Sequence, residues 1–392
     1  FYGDYKLKDK SEKKPSTLLT HSGRSGAAHF GAVNPPVYHV STILFDSYAD
    51  IINNRGDYTY GRRGTPTTKA LEEVISGLEN ADGTLLLPSG LAACTLTLLA
   101  LCKQGDHVLV PDNAYESTRS FSQKILPDFG IETEIYDPTV SDISSLIRDN
   151  TTLIFLESPG SQTFEVMDLQ MIIKSAREKN ILTAMDNTWA SPLFCKPLDM
   201  GIDVSIQSAT KYVSGHADCL LGYVSARKEI YNRLKRMYGL MGLCVGPDDA
   251  AMTLRGVRTL DVRLKRHQES ALTIARWLEQ KEQVKYVHHP ALESHPQHDL
   301  WKRDFIGSGG LFAIELHPCS ETQIAAMLDD MSLFGMGYSW GGYESLMIPV
   351  VLLRQLGPER GPLLRLHIGL EDVEDLLEDL AEGFKRFDNA SA

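Results

Sequence analysis

From Lys69 onward, two kinds of apolar segment alternate along the chain, and this alternation restricts the fold more than any other feature. Short runs rich in Leu, Val and Ile alternate with longer segments whose apolar residues recur at helical spacing. Strands are expected at 84–87, 107–110, 131–136, 152–156, 181–185 and 203–207, and helices at 69–78, 90–101, 116–129, 143–148 and 169–179. Such alternation of apolar strands with helices predicts an α/β fold whose mostly parallel sheet has helices on both faces.

The chain divides into three parts on the same pattern. Residues 1–61 read as an N-terminal arm, since Asn34-Pro35-Pro36 forces an extended backbone and no core of its own is visible. Such an arm must pack on its own chain or on a neighbouring subunit. Residues 62–257 are expected to form the main domain, and a long helical stretch at 247–282 leads into a smaller α/β domain, 258–392. That domain is expected to have strands at 311–316 and 363–368 and helices at 321–331 and 373–387.

Composition excludes several classes of partner. The formal net charge of −12 argues against nucleic acid or an anionic membrane surface, both of which require a basic face. We find neither an apolar run long enough to span a bilayer nor a signal peptide. The six cysteines are scattered and contain no C-x-x-C pair, which is typical of reduced thiols in a cytoplasmic protein.

Four histidines close together in sequence invite a metal-site interpretation. They are His288, His289, His295 and His298. Because Pro290 and Pro296 interrupt them and the spacing does not suit a tetrahedral site, we expect a surface loop and no metal.

Residues at the carboxyl ends of the predicted strands are the candidates for ligand binding. Ser89-Gly90-Leu91 opens a helix, whose free N–H groups suit a phosphate. Tyr115 offers a ring face, and Asp186 is a carboxylate that needs a cationic partner. Lys211 offers an amine between the hydroxyls of Ser208 and Thr210. A phosphate, a flat ring, a cationic ring nitrogen and an aldehyde occur together in pyridoxal 5′-phosphate (PLP), which the set therefore indicates.

Each of these residues also has an ordinary structural interpretation. Taken singly, Lys211 is typical of a solvated lysine, Tyr115 of core packing and Asp186 of a turn. No G-x-G-x-x-G follows the first strand and no phosphate-binding G-x-x-x-x-G-K-[ST] occurs, so nucleotide-binding interpretations lose their main support. The agreement among the strand ends favours the cofactor.

Several motifs are shared with a known family. They are Tyr60-Gly61-Arg62-Arg63-Gly64-Thr65, Ala114-Tyr115-Glu116, Phe155-Leu156-Glu157-Ser158-Pro159-Gly160, Asp186-Asn187-Thr188-Trp189-Ala190, Ser208-Ala209-Thr210-Lys211-Tyr212, Tyr338-Ser339-Trp340-Gly341-Gly342-Tyr343-Glu344-Ser345 and Arg365-Leu366-His367-Ile368-Gly369-Leu370-Glu371. From about Leu18 onward the chain resembles the Cys/Met-metabolism PLP-dependent enzymes of fold type I. Ser339-Trp340 and Gly61-Arg62-Arg63-Gly64 resemble the cystathionine β-lyase group more than the γ-lyase or γ-synthase groups.

The resemblance implies roles for particular residues. Lys211 would bind the cofactor covalently and then carry a proton, Asp186 would pair with the ring nitrogen, and Tyr115 would stack on the ring. The expected contacts to the cofactor phosphate are Gly90, Leu91, Ser208 and Thr210, with Tyr60 and Arg62 reaching the phosphate of the neighbouring subunit. The expected substrate contacts are Arg365, which would bind the α-carboxylate, Ser339, Trp340 and Tyr60. Trp340 could instead fill a domain interface, and Arg365 could form a structural ion pair.

The implied activity is α,β-elimination of L-cystathionine by a cytoplasmic homotetramer, as in methionine biosynthesis. Cystathionine γ-lyase, methionine γ-lyase and a broad cysteine-S-conjugate β-lyase are alternatives on the same scaffold, because function depends on the pocket. A catalytically silent relative is a further alternative, and so is a plain nucleotide-binding protein.

Overall fold

The computed structural model describes residues 13–24 and 29–390; the predicted arm therefore has its residues 1–12 and 25–28 outside the described part. The α-helices are α1 Pro15–His21, α2 Tyr48–Ile52, α3 Pro66–Glu79, α4 Gly90–Leu101, α5 Glu116–Lys124, α6 Leu169–Glu178, α7 Ser191–Phe194, α8 Pro197–Met200, α9 Lys228–Leu240, α10 Pro247–Val257, α11 Leu260–Leu278, α12 His298–Asp304, α13 Glu321–Leu328 and α14 Val373–Asn389. Short 3₁₀ turns span Gly61–Arg63, Leu126–Phe129 and Ile143–Leu146. The strands are β1 Gly83–Leu87, β2 His107–Pro111, β3 Glu132–Tyr136, β4 Thr151–Glu157, β5 Leu182–Asp186, β6 Val204–Ser208, β7 Gly222–Ala226, β8 Val284–His288, β9 Leu311–Leu316, β10 Leu346–Val350 and β11 Leu363–His367.

A seven-stranded sheet forms the centre of the larger part of the molecule. Its strand order is β1-β7-β6-β5-β4-β2-β3. All neighbours in the sheet pair in parallel except β7, which is antiparallel to both β1 and β6. The carboxyl ends of β1, β2, β4, β5 and β6 therefore meet at one edge, where the polar strand-end residues collect.

Helices cover both faces of this sheet, and the side-chain alternation along the strands shows why. Leu153 and Phe155 of β4 belong to a core on one face, packed with residues of α4. Ile154 and Leu156 belong to a separate core on the other face, packed with residues of α6. Because both faces are covered, the strands are apolar along their whole length, as the sequence pattern indicated. The predicted α/β fold is confirmed.

A second, antiparallel sheet has the order β10-β11-β9-β8. Its core includes Phe312, Leu364 and Leu366 from the strands together with Leu376 and Leu380 of α14. The last helix, which the sequence predicts at 373–387, thus turns apolar residues toward this core. β10 and β11 form a hairpin, and that hairpin carries Arg365.

The helical stretch expected at 247–282 consists of two helices. α10 ends at Val257 and α11 starts at Leu260, with Thr259 at φ −111° and ψ 7° between them. The guanidinium of Arg263 fixes this corner by donating to the carbonyl oxygens of Gly256 at 2.8 Å and Tyr212 at 2.7 Å. The corner thus also holds the segment that follows Lys211.

The sequence pattern did not predict three of the strands, β7, β8 and β10. The helix expected at 116–129 also differs from the helix in the structure. α5 ends at Lys124, and a 3₁₀ turn containing Pro127 follows, because proline cannot supply the N–H that a continuing helix needs. The segment expected as a helix at 143–148 is a 3₁₀ turn over Ile143–Leu146.

The histidine-rich segment is not the surface loop that we expected. His288 is the last residue of β8, and the side chains of His288, His289 and His295 are buried. Burial lowers the pKa of His289 to about 3, so the ring is neutral. These histidines therefore belong to the packed interior; the described residues contain no cluster of three or more His, Cys, Asp or Glu side chains with metal-binding geometry.

The described part of the N-terminal arm packs against its own chain at several places. Leu19 of α1 is buried in a core that contains Leu71 and Val74 of α3, and Arg258 donates to Ser22 O at 2.8 Å. The backbone N–H of Tyr38 donates to Thr67 Oγ1 at 2.9 Å, and Thr42 forms an isolated bridge with Tyr60. Large apolar side chains of the arm face solvent instead, with Phe30 92%, Leu44 87% and Tyr48 80% exposed. Among described residues, no helix is both long and apolar enough to cross a membrane.

Candidate active site

Lys211 lies in the turn directly after β6, at the sheet edge where the strand ends meet. Its backbone N–H donates to Ser208 O at 3.1 Å, and its carbonyl oxygen accepts from Gly215 N at 2.8 Å. The side chain then extends to Ser339, where Nζ donates to Oγ at 2.6 Å. The amine is thus aimed at the loop before β10, 128 residues further along the chain.

The environment of Lys211 favours the neutral amine. Burial lowers its pKa from 10.5 to about 8, and the positive charge of Arg365 adds to the effect. Asp186 acts in the opposite direction. A lysine that must attack a carbonyl carbon needs this neutral form near physiological pH.

Asp186 is the last residue of β5, and its carboxylate is held on both oxygens. Oδ1 accepts from the backbone N–H of Thr188 at 3.0 Å and from its hydroxyl at 2.5 Å. Oδ2 accepts from the Cys94 thiol at 3.7 Å. Burial raises the pKa of Asp186, and within residues 13–24 and 29–390 it forms no ion pair. A cationic ring nitrogen would supply the missing partner.

The start of α4 and the end of β6 form a narrow cradle. Ser89 caps α4, its hydroxyl accepting from Ala92 N at 3.1 Å, so the first N–H groups of the helix point toward the strand ends. A Cβ on Gly90 would lie 2.5 Å from Ser208 Cβ, and a Cβ on Gly222 would lie 2.1 Å from Ser89 O. Only glycine allows this approach, which brings a helix N-terminus and the Ser208 hydroxyl to one anion-sized site.

Tyr115 is the residue before α5, and its ring is 48% exposed at the same edge. Its backbone N–H donates to Glu157 Oε2 at 2.8 Å. Burial raises the pKa of Glu157 well above its ordinary value, and the charge of Asp186 adds to this shift. The ring is therefore free to contact a ligand while its backbone is fixed.

Arg365 and Ser339 form the other wall. Arg365 Nη2 donates to Ser339 O at 3.1 Å, so one residue accepts from both the arginine and Lys211. Ser339 takes φ +76°, a conformation that non-glycine residues rarely adopt and that marks functional sites. A Cβ on Gly341 would lie 2.7 Å from Tyr212 N, so this loop packs closely on the lysine segment.

Trp340 packs between apolar cores, as one of the two interpretations expected, and its role toward the substrate stays a prediction. Its ring packs edge-on against Tyr212, with centroids 5.2 Å apart, and it joins two of the apolar cores. Lys211 Nζ also lies 5.4 Å from its centroid. A cavity of about 310 Å³ opens beside it, with Thr210, Asp218, Tyr338, Ser339 and Glu344 in its walls.

The described geometry agrees with the comparison to known families. Residues 16–385 match the family described as Cys/Met metabolism PLP-dependent enzyme. The chain belongs to this family.

Relatives within the Cys/Met-metabolism family cover nearly the whole chain. A putative cystathionine beta-lyase of Rhizobium johnstonii is 48% identical, covering 94% of this chain and 95% of the relative. Cystathionine beta-lyase of Escherichia coli is 43% identical (96% and 99%). An L-alanine/L-glutamate racemase of Wolbachia pipientis is 42% identical (95% and 97%). Among solved structures, cystathionine gamma synthase from Xanthomonas oryzae in complex with cystathionine is 34% identical, with a TM-score of 0.90 and 96% and 99% coverage.

PLP, the cofactor of this family, fits the residues present. The cradle at Gly90, Leu91 and Ser208 can hold its phosphate, and Asp186 can hold its protonated ring nitrogen. Lys211, with its lowered pKa, can bind the aldehyde carbon. The chemistry of this donor set matches all three parts of the cofactor at one sheet edge.

The structure brings most of the predicted site residues together, although their roles stay predictions. Thr210 lies at the cavity, but its hydroxyl exchanges hydrogen bonds with the backbone of Leu221. Tyr60 and Arg62 lie elsewhere, in the turn before α3. Arg62 donates to Gly239 O at 3.2 Å, and neither residue forms a hydrogen bond with Lys211 within the described residues. That placement is compatible with a role toward a neighbouring subunit.

Sequence reasoning missed the residues that hold the site residues in place. Thr188 orients Asp186 and also accepts from Ser208 N at 2.8 Å, which ties β5 to β6. Glu157 fixes the backbone of Tyr115. Both stand at strand ends within the motifs quoted above, and that position was the available signal. Cys94 had no such signal, because a cysteine inside an apolar helix usually serves packing.

Proposed function

We propose that this member of the Cys/Met-metabolism family cleaves L-cystathionine by α,β-elimination and, with the uptake of one water molecule, gives homocysteine, pyruvate and ammonia. The observation that supports this most directly is the contact of Lys211 Nζ with Ser339 Oγ at 2.6 Å, beside the Trp340 ring. Ser339-Trp340 is the pair that resembles the β-lyase group. The β-lyase relatives at 48% and 43% identity support the same reaction. The reaction belongs to methionine biosynthesis.

Each site residue has a separate role in the proposed reaction. Bound PLP supplies the electron sink that stabilises negative charge developing at Cα. Asp186 holds the ring nitrogen in its protonated form, and Tyr115 keeps the ring in place. Arg365 binds the α-carboxylate of the substrate through its planar fork, which orients the Cα–H bond toward Lys211.

Proton transfer falls to Lys211. With the cofactor and substrate bound, its amine would take the Cα proton and deliver it to the sulfur of the leaving homocysteine. The hydroxyl of Ser339 accepts from Nζ and so keeps the amine on the correct side. The Cβ–S bond breaks after the proton is lost, and homocysteine leaves first.

The protein is also proposed to act as a cytoplasmic homotetramer with the active site shared between subunits. The exposed apolar side chains of the arm support association, and Tyr60 and Arg62 would serve the neighbouring cofactor. All six cysteines are free thiols, which fits a reducing compartment.

The test is to incubate purified protein and PLP with L-cystathionine and to identify the keto acid by mass. Pyruvate with homocysteine is the expected result. 2-Oxobutyrate with cysteine would move the chain to γ-elimination, and D-amino acids from L-alanine or L-glutamate without keto acid would make it a racemase. Lys211→Ala is the matched control and should give no product.

A further inference from the structure

The loop 351–362, which connects β10 to β11, reaches across to the main domain and is not part of the site described above. One end of its hairpin holds Arg365, the third residue of β11. The loop itself contacts the segment 112–119, which follows β2 and contains Tyr115. The same hairpin therefore carries Arg365 on one side of the active site and contacts the segment of Tyr115 on the other side.

Asp112 is the centre of this contact and is fully buried. Its carboxylate accepts from Arg354 Nε at 3.1 Å and from the backbone N–H groups of Gln355 at 3.0 Å and Leu356 at 2.7 Å. It also accepts from Arg119 Nη1 at 3.2 Å. A buried carboxylate with four charged or backbone donors is fixed in position.

Arg119 connects this centre to the backbone next to Tyr115. Its Nε donates to Ala114 O at 3.1 Å, and its Nη1 donates to Leu353 O at 2.6 Å. The backbone of Tyr115 is therefore held between two buried carboxyl groups, Glu157 directly and Asp112 through Arg119.

The contacts of Arg354 and Arg360 can be compared, because the two arginines share one partner and differ in another. Both donate to Glu165 Oε1, at 2.6 Å and 3.0 Å, and both come from the same loop. Arg354 also reaches Asp112, whereas Arg360 reaches Glu315 at 3.8 Å. The two arginines thus share the contact that docks the loop, and of these two only Arg354 contacts the Asp112 carboxylate.

We propose that Arg354 and Asp112 are positioning residues for Tyr115, which hold its ring against the cofactor and couple it to the hairpin that presents Arg365. The proposal rests on the role proposed above for Tyr115. Loss of Arg354 would leave Asp112 without one of its charged donors and loosen the segment 112–119, while the domain contact at Glu165 would survive through Arg360.

The first experiment measures hydrogen–deuterium exchange of the full chain, free of PLP and loaded with PLP. In Arg354→Gln we expect amides of residues 112–119 to exchange about tenfold faster, because local opening becomes easier. In Arg360→Gln, the matched variant, the same amides should exchange at the wild-type rate. Equal behaviour of the two variants in this segment would overturn the proposal.

The second experiment measures PLP affinity by titration of the full chain, in a cycle with Tyr115→Ala. Arg354→Gln should weaken PLP binding about tenfold when Tyr115 is present and add little in the Tyr115→Ala background, since residues that act as one unit are not additive. Arg354→Lys, which keeps the charge, should restore part of the affinity and serves if Arg354→Gln folds poorly. Additive effects would show that Arg354 acts independently of Tyr115. Neither readout requires cystathionine turnover, so a wrong substrate assignment would not affect this test.

Discussion

At the residue scale, the amine of Lys211 offers a direct test by pH. Its pKa is lowered to about 8 by burial and then by Arg365, so the neutral form, which attacks the aldehyde, predominates above about pH 8. The rate at which protein free of PLP binds the cofactor covalently should rise with pH and level off just above that value. An unshifted lysine, with a pKa of 10.5, would keep gaining rate well beyond it. Stopped-flow absorbance of PLP capture measures the profile.

The variant Arg365→Gln tests whether the charge of Arg365 contributes to the lowered pKa of Lys211. Removing the second cause of the shift should move the midpoint to higher pH, although burial keeps it below 10.5. A midpoint that stays in place, or moves down, would contradict the assigned electrostatic effect of Arg365.

Arg365 also has its own kinetic signature. Arg365→Ala should raise KM for L-cystathionine about tenfold to a hundredfold, because a charge-assisted bidentate contact to the α-carboxylate is lost. Arg365→Lys keeps the charge without the planar fork, so its KM should lie between those of the wild type and Arg365→Ala. Initial-rate kinetics on the wild type, Arg365→Ala and Arg365→Lys measure the three KM values. A normal KM in the alanine variant would show that Arg365 does not bind the substrate.

At the element scale, the cradle between α4 and β6 depends on one missing side chain. In Gly90→Ala the new Cβ would lie 2.5 Å from Ser208 Cβ and force the helix N-terminus away from the strand end. We expect at least about tenfold weaker PLP binding, measured by titration, as overpacking costs about 1–3 kcal/mol.

Gly77→Ala is the matched control within α3. No atom lies within 4 Å of the added Cβ, and alanine is the better helix former, so stability should increase by about 0.5–1 kcal/mol with unchanged PLP affinity. Thermal unfolding checks the increase. If both glycine variants lost PLP alike, close approach at Gly90 would not be the reason.

The elements differ in how well the sequence predicted them. The parallel strands were recognisable because burial on both faces makes them continuously apolar, as in Leu153 to Leu156. β7, with Gly222 at its start and Ser225 within it, lacks that composition, and its place depends on pairing with β1 and β6. The break between α10 and α11 is held by Arg263, and one partner of Arg263, Tyr212, lies in another part of the chain.

At the scale of the whole molecule, the exposed apolar side chains of the N-terminal arm predict that copies of the chain associate through it. Leu44→Glu should lower the assembly state, measured by light scattering, because it places a charge on an apolar surface that a partner would bury. Ile306→Glu changes a residue that is also highly exposed (84%) but isolated from the arm, and should leave assembly unchanged. Wild-type protein that remains monomeric would contradict the shared active site.

The active site could be predicted only as a set of strand ends. Lys211, Asp186 and the start of α4 follow from topology, because parallel strands deliver their ends to one edge. The contact of Lys211 with Ser339 joins residues 128 positions apart, and the hydrogen bonds at Asp112 join a strand end to the loop between β10 and β11. Such contacts arise from packing between segments far apart in the chain, which local sequence does not encode.

The hairpin of β10 and β11 has a consequence for how this scaffold could diversify. Its two strands are fixed by their register, with Ile348 opposite Arg365, and Leu356, next to Gly357 in the connecting loop, donates to the buried Asp112 carboxylate at 2.7 Å. Insertions or deletions in this loop would leave the register of Arg365 in place while changing the contacts with the segment 112–119, which contains Tyr115. Changes in loop length can therefore act on one wall of the candidate site without altering Lys211.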